Sequence, residues 1–273
     1  MKDYILSIDQ GTTSTRVIIF DKNFNFQSSS QKEFKQIFPR DGEVEHDPEE
    51  IYQSVLFTAK EAIRKAKIKS SQIRSIGITN QRETTVLWDK TNGKTVYNAI
   101  VWQDRRTVKF CKSLVQKGFA KKIQKTTGLI VDSYFSASKI HWLLNNSKKA
   151  KELLKMDKLL FGTIDTWLLW KLTDGQSHYT EATNASRTML FDIKKNQWSK
   201  DMLQIFKVPK KILPIVKDSA DDFGQTTKFG SKIPIQGIAG DQQAATIGQA
   251  CLKPGSIKST YGTGCFMIMN VGS

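Results

Sequence analysis

The sequence predicts an α/β protein with duplicated architecture, and two observations carry this prediction. Extended apolar segments alternate with segments of helical periodicity along the whole chain. In addition, a strand, a Gly-Thr-Thr turn and a second strand at 4–20 are matched by a strand, a Gly-Thr-Gly turn and a strand at 256–271. Because a repeated unit indicates repeated domains, we expect a second domain that has barely begun when the chain stops.

The predicted strands are short apolar runs that end in polar or glycine-rich segments. They are YILSID (4–9), RVIIFD (16–21), an alternating stretch at 24–37, IRSIGIT (73–79) and IQGIAGD (235–241). Between two further β-type runs, Asn92-Gly93 predicts a tight hairpin.

The clearest helix start is Asp47-Pro48-Glu49-Glu50. Asp is a favoured cap, Pro suits the first helical position, and acidic residues face the positive end of the helix dipole. Apolar residues on one stripe extend this helix to about Ile68. Helical periodicity returns at 105–118, 136–145 and 163–172, and after the last apolar run in QQAATIGQA (242–250).

The composition excludes several classes of protein. Hydrophobic residues make up 39% and charged residues 25% of the 273 residues, which is ordinary for a globular protein. The apolar stretches are too short for a membrane span, and the N-terminus lacks the apolar core of a signal peptide. Three cysteines without metal-site spacing are most simply reduced thiols. We therefore predict a cytoplasmic protein without a membrane span.

The positive charge raises the question of nucleic acid binding. Lysine and arginine total 42 against 26 acidic residues, a formal net charge of +16. The lysines are spread over the whole chain and only 8 of the basic residues are arginines, whereas base and phosphate recognition favours arginine. A solvated, lysine-rich surface is the preferred interpretation, and nucleic acid is the weaker alternative.

The segment DQGTTSTR (9–16) places a turn of glycine and small hydroxylated residues after the first strand. Such a turn lets backbone N–H groups and hydroxyls approach phosphate oxygens. Asp9, at the strand end, is a candidate ligand of Mg²⁺, and Arg16 would add positive charge. The alternative is an ordinary polar β-hairpin. The chain contains no GxxxxGK[ST] segment, which excludes a P-loop.

Two further segments offer groups that suit a small polyol. NQRET (80–84) sets Arg82 beside Glu83 after a buried strand, and hydroxyl groups need several directional donors and acceptors. Trp102, in VWQDRR (101–106), would stack on a carbon skeleton, and the Tyr134 hydroxyl would face the ligand. The alternatives are a surface ion pair and ordinary core packing of the aromatic residues.

The segment GIAGDQQAA (237–245) predicts the reactive group. Asp241 follows an apolar strand and precedes a helix, where a carboxylate could accept a hydroxyl proton as a phosphoryl group moves. The alternative is simple capping of that helix, for which Asp is a favoured residue.

Together these segments resemble the FGGY family of carbohydrate kinases, and within it the members that phosphorylate glycerol. The motifs are DQGTTSTR, NQRET, VWQDRR, TNASRTMLF (183–191), GIAGDQQAA and YGTGCF (261–266), and YFSASKIHWLLNN (134–146) is similar to a family signature. The resemblance implies the ribonuclease H-like, actin-like ATPase fold, in which two duplicated α/β domains close on a cleft. It covers the N-terminal half of a family member, which implies a first domain at 1–250 and the start of the C-terminal domain at 251–273.

The resemblance also implies an activity: transfer of phosphate from MgATP to glycerol, giving sn-glycerol 3-phosphate, with Asp241 as the catalytic base. The residues similar to glycerol-binding residues of the family are Arg82, Glu83, Trp102, Tyr134, Asp241, Gln242 and Phe266. Those similar to ATP-binding residues are Thr12, Thr13, Ser14 and Arg16 in the first hairpin and Thr263 and Gly264 in the second. With Asp9 as the candidate metal ligand, the implied cofactors are ATP and Mg²⁺. A homo-oligomer is left open for a full-length protein.

Several expectations follow from what the chain lacks. The adenosine pocket of the family belongs to the second domain, so we expect this chain to keep a glycerol site with little or no kinase activity. The stretch TTKFGSKIPI (226–235) is short and lacks arginine, so the fructose 1,6-bisphosphate regulation of some bacterial members is not expected. Without the second domain, apolar residues at 266–269 would be exposed.

Two alternative functions stay open. One is an FGGY kinase for another sugar or polyol, such as a pentulose or gluconate. The other is a non-catalytic remnant or an actin-like binding module.

Overall fold

The computed structural model describes residues 3–262 and 264–272. The strands of this part are β1 (Tyr4–Gln10), β2 (Ser14–Asp21), β3 (Phe26–Glu33), β4 (Glu45–His46), β5 (Ile73–Asn80), β6 (Val86–Asp89), β7 (Ala99–Ile100), β8 (Leu159–Gly162), β9 (Tyr179–Glu181), β10 (Phe191–Asp192), β11 (Gln197–Trp198), β12 (Ile215–Lys217), β13 (Gln225–Thr226), β14 (Ile233–Gly240), β15 (Ile257–Tyr261) and β16 (Cys265–Met269). The helices are α1 (Pro48–Lys65), α2 (Val108–Gln116), α3 (Ala120–Thr127), α4 (Ser136–Asn146), α5 (Lys148–Lys155), α6 (Ile164–Leu172), α7 (Ala182–Ala185), α8 (Lys200–Phe206) and α9 (Asp241–Gly248).

A six-stranded mixed sheet organises the fold, in the order β13-β14-β5-β1-β2-β3. The strands β14, β5 and β1 are mutually parallel, whereas β2 and β3 run antiparallel to their neighbours. In the register of the parallel strands, Asn80 lies opposite both Gln10 and Gly240. The three carboxyl ends therefore meet on one rung, at the edge where open α/β sheets bind ligands.

Two hydrophobic cores support this sheet. The first lies between the sheet and helices α1 and α6, and it contains the fully buried indoles of Trp88 and Trp167. The second lies among helices α2 to α5 and α8 and includes Ile140, Leu143 and Phe206. The predicted α/β class is thus confirmed, with a helical layer beside the sheet.

The predicted start of helix α1 is confirmed. Asp47 caps it by accepting a hydrogen bond from the backbone N–H of Glu49 at 2.8 Å, and Pro48 is its first residue. The helix ends at Lys65, slightly before the predicted Ile68.

The predicted hairpin at Asn92-Gly93 is confirmed. The turn forms, since the Gly93 N–H donates to the Asp89 carbonyl at 2.8 Å and Gly93 adopts a φ of 70°. The two sides of the turn pair through the antiparallel bridges Trp88–Thr95 and Thr85–Ile100, and the Val96 N–H donates to the Leu87 carbonyl at 2.9 Å. The sequence did not indicate that β6 also pairs with the distant β8, or that β7 also pairs with β4.

The second predicted hairpin is confirmed in β15 and β16, which pair only with each other among the described residues. The expected exposure alternates along it: Met267 is 72% and Met269 50% exposed, whereas Phe266 and Ile268 are partly covered. In the described part of the chain, no helix combines the length and apolar character needed to cross a bilayer.

Candidate active site

Three segments that the sequence singles out follow the three parallel strands. The Gly-Thr turn leaves β1 at Gln10, the NQRET segment ends β5, and Asp241 follows β14 directly. Because the carboxyl ends of these strands share a rung, the segments meet although up to 230 residues separate Gly11 from Asp241 in the sequence. A residue without a predicted role joins two of them: the buried Gln81 donates from Nε2 to the Gly11 carbonyl at 3.0 Å.

The turn after β1 presents hydroxyl groups. It is closed by a hydrogen bond from the Gly11 N–H to the Ser14 carbonyl at 2.9 Å. The Trp102 indole donates from Nε1 to Thr12 Oγ1 at 2.9 Å. Because the indole N–H can only donate, the hydroxyl hydrogen of Thr12 stays available for another acceptor. Thr13 and Arg16 are exposed, so this turn keeps donors free on its surface.

The turn after β5 holds Glu83 in a strained but well-supported backbone conformation. Glu83 has a φ of 63°, a region that non-glycine residues rarely adopt. Its carbonyl accepts a hydrogen bond from Ser136 Oγ at 2.9 Å, and the Thr84 N–H donates to the Arg82 carbonyl at 2.7 Å. These bonds fix the direction in which Glu83 leaves the chain.

The Glu83 carboxylate is buried, with 1% of the residue exposed, and is therefore surrounded by compensating charge. Its Oε1 atom lies 2.6 Å from Nε of Arg187. Burial raises the pKa of Glu83, and the positive charges of Arg82 and Arg187 oppose that rise. Burial together with the negative charge of Glu83 also raises the pKa of Tyr134 to about 12, so its hydroxyl stays protonated at neutral pH.

Asp241 is the first residue of helix α9 and is not its cap. The cap residue is Gly240, and Oδ1 of Asp241 accepts a hydrogen bond only from the adjacent Gln242 N–H, at 2.7 Å. The Asp241 side chain is 34% exposed and lies 3.0 Å from Nε of Arg82. That contact is an ion pair without the alignment of a hydrogen bond, because Arg82 Nε has no hydrogen-bond partner among the described residues. The capping interpretation of Asp241 therefore fails, and the carboxylate is accessible.

Gly240 is required for the close approach of Arg82. A Cβ atom on this glycine would lie 2.5 Å from Cδ of Arg82, well inside contact distance. The glycine before Asp241 therefore lets the Arg82 side chain pass close to the backbone and reach the Asp241 carboxylate.

Gln242 is held from the second hairpin. Lys258, a buried residue of β15, donates from Nζ to Oε1 of Gln242 at 2.6 Å. The sequence did not indicate this contact, because one lysine among many carries no signal.

Aromatic rings line the other side of the site. Trp102 packs edge-to-face against Tyr134 at 5.6 Å and against Phe266 at 6.0 Å between ring centroids. The guanidinium of Arg82 lies 5.8 Å from the Phe266 centroid. A Cβ on Gly264 would meet the Phe266 ring at 2.7 Å, so the glycine turn of the second hairpin packs on this aromatic wall. Together the rings offer apolar surface to the carbon atoms of a ligand.

These groups enclose one cavity of about 170 Å³, below the roughly 300–1,000 Å³ of sites for drug-sized molecules. Nine of the predicted site residues line it: Thr12, Arg82, Glu83, Trp102, Tyr134, Asp241, Gln242, Gly264 and Phe266. The lining residues without a predicted role are Gln81, Thr260 and Gly262. The predicted residues Asp9, Thr13, Ser14 and Arg16 are outside its lining, and Thr263 falls outside the described residues.

The surroundings of Asp9 bear on its candidate role as a ligand of Mg²⁺. Burial raises the pKa of Asp9, Arg16 opposes the rise, and the negative charge of Asp241 adds to it. The described residues contain no group of three or more His, Cys, Asp and Glu side chains arranged for a metal. Mg²⁺ in kinases is commonly held by one or two carboxylates together with water and substrate phosphates. Two nearby carboxylates beside a phosphate-type turn fit that pattern.

The site and its scaffold define a class of protein. Residues 4–248 match the model of the N-terminal domain of the FGGY family of carbohydrate kinases. The chain therefore belongs to the FGGY family of carbohydrate kinases, and its fold is that of the actin-like ATPases.

Relatives within the family are glycerol kinases. The chain is 58% identical to the glycerol kinase of Rhizobium meliloti, and the matched region covers all of this chain and 55% of that protein. It is 54% identical to the glycerol kinase 2 of Thermotoga maritima. A crystal structure of Plasmodium falciparum glycerol kinase with ADP superposes with a TM-score of 0.93 at 41% identity, covering 98% of this chain and 54% of that one. The chain thus spans about half the length of the curated relatives that it matches.

More distant structures share the fold alone. A gluconate kinase from Lactobacillus acidophilus superposes with a TM-score of 0.85 at 24% identity, over 97% of this chain and 53% of that one.

Proposed function

We propose that the chain carries the glycerol site and the catalytic base of an ATP-dependent glycerol kinase. The observation that supports this most is the pairing of a buried Arg82–Glu83 turn with the accessible Asp241 in one small cavity. The similarity to glycerol kinases over the whole chain supports the choice of substrate.

The proposed binding mode uses both the polar groups and the aromatic rings of the cavity. Arg82 donates to the glycerol hydroxyls, Glu83 accepts from them, and the Tyr134 hydroxyl takes part as donor or acceptor. Trp102 and Phe266 cover the carbon atoms. Gln242, fixed by Lys258, contacts the hydroxyl nearest the reaction centre.

In the proposed reaction, Asp241 takes the proton of the terminal hydroxyl while the oxygen attacks the γ-phosphorus of ATP. The bond from that phosphorus to the β–γ bridging oxygen breaks, which leaves ADP and sn-glycerol 3-phosphate. Asp241 suits this role because it is accessible and adjoins the cavity, whereas Glu83 is enclosed and paired.

The phosphate contacts are proposed for Thr12, Thr13, Ser14, Arg16 and Gly264. Thr263, for which the same role is proposed, lies outside the described residues. Asp9 would hold Mg²⁺, with Asp241 nearby, and the bound ion would neutralise charge on the transferring phosphoryl group.

The remaining parts of the proposal concern the chain as a whole. We place the first domain at 1–250 and the beginning of the second at 251–273. The three free cysteines among the described residues agree with a cytoplasmic location. Because the motifs of the chain are proposed to contact phosphates and glycerol and none of them is assigned to adenosine, we expect glycerol binding with little or no kinase turnover.

Calorimetric titration of the chain with glycerol at millimolar concentration tests the proposal. We expect saturable heat with glycerol and a weaker response to xylulose and gluconate. Phe266→Ala should weaken glycerol binding, whereas Met267→Ala, an exposed neighbour on the same strand, serves as the matched control. No heat with glycerol would favour a non-catalytic remnant, and tighter binding of xylulose would favour a kinase of another sugar. Turnover at the level of a full-length kinase would contradict the expectation of low activity.

A further inference from the structure

Arg187 has no part in the proposed reaction, yet it contacts two of the groups that would bind glycerol. Its Nε lies 2.6 Å from Oε1 of Glu83. Its guanidinium also lies 5.5 Å from the ring centroid of Tyr134 and 4.9 Å from that of Phe135. One cation therefore joins the carboxylate and the phenol on the same side of the cavity.

The segment that carries Arg187 is fixed to the ends of the parallel strands. Asn184 and Asn80 exchange hydrogen bonds between their amides at 2.9 and 3.1 Å. The Gly240 N–H donates to Thr183 Oγ1 at 2.8 Å. Helix α7 and the turn behind it are thus tied to β5 and β14, the strands that position Glu83 and Asp241.

Other cations near Glu83 are engaged elsewhere. Arg82 pairs with Asp241, and Lys139, which is fully buried, donates from Nζ to the Tyr134 carbonyl at 2.5 Å. Among the described residues, Arg187 is the one that forms a salt bridge with Glu83. A buried carboxylate that loses a salt-bridge partner becomes easier to protonate.

We propose that Arg187 is a positioning residue that keeps Glu83 ionised and oriented, and keeps Tyr134 beside it, for recognition of polyol hydroxyls. This inference rests on the proposed function for its ligand, but the ionisation of Glu83 can be measured without any ligand. The charged and titratable groups that face Glu83 are Arg82 on its own turn, Tyr134 and Lys139 at the start of helix α4, and Arg187 after helix α7.

The first test follows Glu83 directly by NMR in protein labelled at the glutamate carboxyl carbon, with Glu83→Gln to assign the signal. In the unchanged chain, the Arg187 Nε–H resonance should titrate with the same midpoint as the Glu83 carboxyl carbon. In Arg187→Met, that midpoint should move up by about one pH unit or more, because the neighbouring cation is gone. Arg187→Lys keeps a charge and should restore most of the midpoint.

A matched control is Arg64→Met, which removes an arginine from the exposed salt bridge with Glu61. This variant should leave the Glu83 midpoint unchanged. An Arg187 resonance that ignores the Glu83 titration, or a midpoint in Arg187→Met equal to that in Arg64→Met, would overturn the inference. The resonance in the unchanged chain decides the question even if Arg187→Met does not fold.

The second test measures glycerol affinity by calorimetry for the same variants. Arg187→Met should bind glycerol roughly 30-fold more weakly, Arg187→Lys should recover part of the loss, and Arg64→Met should match the unchanged chain. If the unchanged chain binds no glycerol, the proposed function fails, and the titration of Glu83 still decides the role of Arg187.

Discussion

The two carboxylates of the cavity, Glu83 and Asp241, lie in opposite environments. Glu83 is 1% exposed, sits in a strained turn and is paired with Arg187, which reaches it from another segment. Asp241 begins helix α9, and its side chain is 34% exposed and pairs with Arg82. The difference separates two tasks: an enclosed, paired carboxylate is suited to holding a ligand, and an accessible one is suited to moving a proton.

The position of each carboxylate in the fold explains why their environments differ. Glu83 follows β5, a central strand of the sheet, and the Ser136 hydroxyl at the start of helix α4 closes over its turn. Asp241 follows β14, which lies nearer to the edge of the sheet, and it lines the cavity. The same rung of the sheet therefore supplies one rigid and one accessible acid.

The largest expected effect comes from removing the charge of the enclosed carboxylate, Glu83. Glu83→Gln leaves Arg187 without its anion in a largely buried place, so the free energy of unfolding should fall by about 3–5 kcal/mol. Glycerol binding should be lost within the calorimetric range. Chemical denaturation with calorimetry checks both results, and Glu61→Gln on the exposed surface is the control. A variant as stable as the unchanged chain would contradict the enclosed character of Glu83.

A second change probes the buried cation behind Glu83. Burial lowers the pKa of Lys139 to about 8, below its usual value near 10.4 in an unfolded chain. Between these values the unfolded state binds more protons, so the stability of the folded chain should rise as the pH increases from about 8 to about 10. Lys139→Met should remove this rise, which amounts to roughly 3 kcal/mol at most.

Denaturant titrations at several pH values check the Lys139 prediction. Lys122→Met, which lies in an exposed salt bridge with Asp201, is the matched control and should keep the slope of the unchanged chain. Equal slopes for both variants would show that Lys139 is not held in a desolvated place.

A third change disturbs Arg82, the arginine that pairs with Asp241. In Gly240→Ala, the new Cβ would lie 2.5 Å from Cδ of Arg82 and displace its guanidinium from the cavity. We expect glycerol affinity to fall about tenfold. A hydrogen bond to a charged group contributes about 1.5–3 kcal/mol, and the displaced Arg82 would lose part of it. Gly77→Ala makes the same change in the adjacent strand, where nothing lies within 4 Å, and should bind glycerol normally. Equal affinities would contradict the steric role of Gly240.

The smallest effect on binding is expected at the accessible carboxylate. Asp241→Asn removes a partly exposed ion pair with Arg82, which contributes up to about 1 kcal/mol, so glycerol affinity should change by less than about fivefold. Calorimetry of this variant beside Glu83→Gln measures the contrast. A loss as large as that of Glu83→Gln would mean that Asp241 binds the ligand as strongly as Glu83 does.

The sequence predicted the residues that follow the parallel strands, because apolar runs that end in polar segments mark strand ends. Arg82, Glu83 and Asp241 were found in this way, and the sheet does bring them together. Trp102 and Phe266, from other segments, line the same cavity.

Partners that act from a distance carried no local signal. Arg187 lies 104 residues after Glu83, and its motif TNASRTMLF gave no indication of the contact that the structure shows between them. The pairing of β6 with β8 was missed for the same reason, because the local hairpin at Asn92-Gly93 does not indicate which distant strand also pairs with β6.

A crystal structure of the chain grown with glycerol, compared with crystals grown without it, tests the central claim most directly. We predict density for one glycerol in the cavity, with hydroxyl oxygens within hydrogen-bond distance of Arg82 and Glu83 and its terminal hydroxyl beside Asp241. Glycerol bound outside this cavity, or with its terminal hydroxyl on Glu83 and none near Asp241, would contradict the division of tasks between the two carboxylates.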